Sequence, residues 1–105
     1  MSTASQGRNR EYKVRDHMIS HGWVLIMRAA ASKGPADLAM AHPEFGLALV
    51  QVGTDNKTLG PAARARFLVA AELCSALPVV AQSNRGIRYS LVNEGPASGW
   101  EEWKP

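Results

Sequence analysis

Apolar residues recur along this chain in two rhythms, and the switches between them mark out the secondary structure. From about Arg8 to His21, Val14 and Met18 repeat at a spacing of four, with Tyr12 and Ile19 flanking them and Gly22 following as a stop. That pattern predicts an amphipathic helix. Residues 1–7 are small and polar and read as a disordered start. Trp23–Arg28, WVLIMR, is a short run of β-branched and aromatic character that predicts a buried strand. A small-residue loop, Ala29–Pro35, leads to a short second strand over Ala36–Met40, and His42-Pro43-Glu44 makes a turn. A third strand is predicted over Gly46–Val52. Strand alternation places Leu47, Leu49, Gln51 and Gly53 on one side of it and Ala48, Val50 and Val52 on the other. After a polar loop, Thr54–Gly60, Pro61 suits a first helical position, and the helix it opens is expected to run to about Ala76, stopped by Leu77-Pro78. Val79–Gln82 and Ile87–Val92 form a closing pair of strands around Ser83-Asn84-Arg85-Gly86.

The predicted order is α-β-β-β-α-β-β without internal repeats. A helix between the third and fourth strands implies a parallel crossover. The expected fold is therefore a single three-layer α/β domain, with a mixed central sheet and helices on both faces. It would occupy residues 8–93, between the start 1–7 and a tail 94–105 rich in Gly, Pro and Ser that carries Trp100 and Trp103. A length of 105 residues suits one domain, and 46% apolar content is enough for a core. So small a domain buries a limited share of its surface, and dimerisation is an ordinary remedy.

Charge adds a direction. The formal net charge is +3 and the pI about 9.4. Residues 1–93 hold 11 Lys/Arg against 6 Asp/Glu, whereas the tail is acidic. A basic body is the footprint of a phosphate-backbone binder, although inert proteins share it. The single cysteine, Cys74, excludes an internal disulfide and a cysteine-based zinc site, and reads as a small core residue of the second helix. The polar first residues hold no apolar signal segment, and no apolar run is long enough for a membrane span. The expectation is a soluble, cytoplasmic protein.

Three polar positions stand out on this framework. Glu11 lies on the same helical stripe as Val14 and Met18. A carboxylate there also suits a helix N-terminus, where the dipole favours negative charge. Asp37 opens the second strand after Gly34-Pro35-Ala36, a place where Asp often serves only as a turn residue. Gln51 is a polar side chain late in an apolar strand and must find partners.

Taken in order, these stretches resemble the PD-(D/E)xK nucleases, and among them the archaeal-type Holliday-junction resolvases with their small bacterial and phage relatives. The matching segments are Arg10-Glu11, Arg28 through Ser32, Pro35 and Asp37 to Leu38, and Leu49-Val-Gln51-Val, with Leu77-Pro78-Val79-Val80-Ala81 after the second helix. The likeness spans residues 8–93. It implies a restriction-endonuclease-like fold and phosphodiester cleavage with Mg²⁺, or Mn²⁺, held by hard oxygen ligands. Carried over by position, Asp37 would ligate the metal, Glu11 would be an outer acid of the metal site, and Gln51 would ligate through its carbonyl oxygen. Ser32 would lie near the cut phosphate.

One position departs from the pattern. The family's lysine, two residues after the third-strand acid, is replaced by Gly53, and Gln51 removes a further negative charge. Lys33 or Lys57 could supply the cation from neighbouring loops, although surface lysine is the ordinary reading of both. Arg8, Arg10, Lys13, Arg15, Arg64, Arg66, Arg85 and Arg88 would grip DNA phosphates without reading sequence, or simply form a solvated basic face. His17, His21 and His42 form no set with ligand spacing and read as structural. Trp100 and Trp103 are expected to dock on the body or on a partner subunit. The functional expectation is a homodimeric, metal-dependent endonuclease that resolves four-way DNA junctions. The alternatives are a junction-binding protein of the same fold that cuts weakly or not at all, and an interaction domain with no nucleic-acid role.

Overall fold

A computed structural model describes residues 3–29, 36–54, 58–83 and 85–105, with side chains described from residue 8 onward. Helix α1 runs Thr3–Ser20, followed by β1 (Val24–Arg28), β2 (Leu38–His42), β3 (Gly46–Gly53), α2 (Pro61–Leu73), β4 (Ala76–Ser83), β5 (Ile87–Leu91) and β6 (Glu101–Trp103). The six strands form one sheet in sequence order. Only β3 and β4 are parallel, joined by the α2 crossover, and every other neighbouring pair is antiparallel. The expected α/β architecture and mixed sheet are observed.

Strand alternation divides the core in two. Leu38, Met40, Ala48, Val50, Val79, Ala81 and Tyr89 pack with Val14 and Met18 of α1. Ala39, Leu49 and Val80, one residue out of phase, pack with Phe67 and Ala71 of α2. One helix thus covers each face of the sheet.

Four local expectations change. Helix α1 begins at Thr3, so the polar segment expected to be disordered contributes its first turns. Helix α2 ends at Leu73, and Ser75 turns the chain with a positive φ of 52°. Pro78 therefore lies inside β4 instead of ending the helix. It precedes the stretch that pairs with β5, and its carbonyl accepts the Val92 N–H at 2.9 Å. Cys74, expected in the core, is exposed at the end of α2. The tail adds the edge strand β6, which its Gly/Pro-rich composition hid. Trp103 joins the α1-side core and Trp100 the α2-side core, so both dock on the body.

Gly22 ends α1 at φ 94°, and a Cβ there would stand 3.1 Å from His42 Nε2. The left-handed conformation and the close histidine both explain the glycine.

Candidate active site

Glu11 lies more than two turns into α1, so the helix dipole does not account for it. It is 9% exposed and turned toward the sheet, on the stripe that buries Val14 and Met18. Burial and the nearby Asp37 carboxylate push its pKa above the usual 4.5, while the charge and hydrogen bond of Arg28 oppose the rise. Arg28 Nε donates to Glu11 Oε1 at 2.9 Å.

Asp37 stands just before β2 and is 8% exposed. Its backbone N–H donates to Val50 O, and its Oδ2 accepts the Val52 N–H at 2.8 Å. The carboxylate is therefore oriented by the main chain of β3. Pairing of Leu38 with Val50 brings Asp37 opposite Gln51 one step further along. Gln51 itself is half-buried and engaged in a polar interaction. The structure thus brings the Glu11 and Asp37 carboxylates together, with Gln51 across from Asp37 at the end of the β2–β3 pair. Among the described residues, no three His, Cys, Asp or Glu side chains gather as a metal-binding set. The candidate donor set is two carboxylates and an amide.

Gly53 ends β3 opposite Gln82 and offers no side chain to the site. Ser32, Lys33 and Lys57 lie outside the described residues. Among the described residues, the cation paired with Glu11 is Arg28, at the end of the apolar strand β1. An arginine ending an otherwise apolar run was the available signal. Arg28 also lies over the Tyr12 ring, 5.2 Å from its centroid, and Arg15 lies over the same ring at 4.6 Å.

The other basic residues divide by role. Arg8, Lys13, Arg66, Arg85 and Arg88 are exposed. Arg10, Arg15 and Arg64 are partly buried. Arg15 pairs with Asp16 at 2.8 Å, and Arg64 donates to Leu59 O at 3.2 Å, which ties the loop before α2 to its first turn.

No protein-family model matches the sequence, and no curated protein sequence is significantly similar to it. Among solved structures, the chain is similar to Hjc of Archaeoglobus fulgidus, a Holliday junction resolvase from an archaeal hyperthermophile. This chain has the fold of that resolvase. The superposition has a TM-score of 0.66 and covers 86% of this chain and 84% of the archaeal one, at 16% sequence identity. At that identity the likeness establishes architecture, and the site must be argued from its own residues.

Proposed function

We propose that the protein is a metal-dependent endonuclease that cuts branched DNA, most specifically four-way junctions, as a homodimer. The observation that carries this reading is the pair of buried carboxylates, Glu11 and Asp37, with the Asp37 charge close enough to raise the Glu11 pKa, within a resolvase fold. Two acids crowded together with one arginine are an expensive arrangement unless something cationic relieves them. Hard oxygen donors of this kind suit Mg²⁺, which is commonly held by one or two carboxylates and completes its shell with water and phosphate oxygens. Asp37, oriented by the Val52 N–H, would be the principal ligand, with Glu11 and the Gln51 carbonyl beside it. The bound ion would supply positive charge that lowers the pKa of the attacking water and offsets charge building on the phosphate. Arg28 holds Glu11 in place and keeps a permanent positive charge next to the reacting phosphate. The exposed Arg8, Lys13, Arg66, Arg85 and Arg88 would bind neighbouring phosphates.

A second copy has a place to dock. β1 is a sheet edge, and Val24, Ile26 and Met27 on it are exposed, as are Val69 and Leu73 of α2, Leu73 at 82%. Between them opens an apolar cleft of about 200 Å³, lined by Met27, Ala39, Leu49 and Ala70 with Asp37 at its margin. A surface this apolar suits a self-complementary contact, and a two-fold dimer supplies two sites for two symmetric cuts.

The test is incubation of a labelled four-way junction with the protein and Mg²⁺, alongside Asp37→Ala and Glu11→Ala. Cuts in two opposed strands that Asp37→Ala abolishes, with junction binding retained, are expected. Salt-sensitive junction binding without cutting at any Mg²⁺ or Mn²⁺ concentration would favour a non-cleaving binder. Absence of binding would leave only an interaction domain.

A further inference from the structure

We infer that His17 and His21 form a second metal site, a two-imidazole chelate for a borderline divalent ion such as Zn²⁺, Ni²⁺ or Cu²⁺. The inference stands independently of the nuclease reading. The end of α1 draws these two histidines together. Past Ser20 the helix tightens, with the His21 N–H donating to Met18 O at 2.9 Å and the Gly22 N–H to Ile19 O at 3.0 Å. The two rings are thereby brought to a centroid separation of 4.7 Å at 61°. Paired histidines one turn apart on a helix are an established zinc-binding arrangement. A tetrahedral ion with Zn–N bonds of about 2.0–2.1 Å holds two imidazole centroids roughly 5 Å apart.

The surroundings prepare one ring for coordination. His17 Nδ1 is hydrogen-bonded to Tyr89 Oη at 2.9 Å, and the two rings stack at 5.7 Å. With Nδ1 engaged, Nε2 is the ligating nitrogen, and the phenol plays the orienting part that a carboxylate or carbonyl usually plays behind a metal-bound histidine. Both histidines open on a cleft of about 290 Å³ whose walls include Tyr89 and Trp103. Arg88, Glu102 and Lys104 also line the cleft, the first two alternating with Tyr89 and Trp103 along β5 and β6. No third His, Cys, Asp or Glu joins the pair among the described residues, which leaves the remaining positions to water.

This site and the acid cluster would take different ions. His17 and His21 follow Glu11 by about 9–15 Å of helix rise. Imidazole selects Zn²⁺, Ni²⁺ and Cu²⁺, whereas carboxylate and carbonyl oxygens select Mg²⁺.

Calorimetric titration of the full chain with Zn²⁺ alone tests the assignment. One saturable equivalent is expected, lost in both His17→Ala and His21→Gln and retained in His42→Ala and Asp37→Ala. Tyr89→Phe, which keeps the ring and removes the hydroxyl, should weaken binding by about tenfold. Circular dichroism of each variant confirms that α1 is intact. Zn²⁺ binding that survives His21→Gln in a folded protein, or no saturable binding by the wild type, overturns the proposal.

Discussion

Arg28 and Glu11 form a partly buried ion pair, Nε to Oε1 at 2.9 Å, that ties the end of the edge strand β1 to the middle of α1. The arginine balances one of two crowded carboxylates and anchors the element that borders the apolar cleft. Arg28→Met leaves Glu11 buried beside Asp37 without its donor, at a cost of about 1–3 kcal/mol. Urea denaturation at neutral pH measures it. Arg28→Lys should recover part of the loss, because charge is kept and the planar guanidinium is not. Equal stability of Arg28→Met and wild type would show that the pair contributes nothing.

The raised pKa of Glu11 gives stability a defined pH dependence. Below the unfolded value of 4.5, both states hold the proton. Between 4.5 and the higher folded value, the unfolded chain ionises first, so the contribution present at low pH is lost as pH rises through the folded pKa. Glu11→Gln removes this loss. The variant should therefore gain stability relative to wild type as pH climbs from 4.5 toward neutrality, in paired denaturation curves.

Restoring the family's cation is the most informative change to activity. Gly53→Lys places an ammonium two residues after Gln51, and junction cleavage in Mg²⁺ should rise by about tenfold or more, within the range a positioned acid–base group contributes. No gain in a folded variant that still binds junctions would argue against this placement of β3.

The β1–α2 surface predicts the oligomeric state. Met27→Asp and Leu73→Asp each put a charge on an apolar contact that contributes about 1.5–3 kcal/mol per buried side chain. Sedimentation velocity should show a dimer for wild type and a monomer for the double variant. A monomeric wild type would remove the second-copy argument.

How much of this was legible in the sequence depended on how local each signal was. Val14 and Met18 marked the buried stripe of α1 and placed Glu11 correctly, and the alternation through β3 separated the two cores at Ala48, Leu49 and Val50. What failed was set by context outside the local pattern. Pro78 read as a helix stop because its neighbours in the sheet are not visible in sequence. Cys74 read as core because the end of α2 depended on Ser75 adopting a left-handed turn. β6 was hidden because its three residues are defined by pairing with β5. Arg28 was missed for the same reason, since its partner lies 17 residues earlier on another element.

The central claim is that Glu11 and Asp37 hold a divalent ion. Titrating Mn²⁺ into isotopically labelled protein while following amide resonances tests it directly, because the paramagnetic ion broadens the nuclei nearest to it. The Val52 amide, hydrogen-bonded to Asp37 Oδ2 at 2.8 Å, and the Asp37 amide should broaden first. Excess Mg²⁺ should reverse the effect, and Asp37→Asn should abolish it. Broadening that spares these amides, or that persists unchanged in Asp37→Asn, would contradict the account.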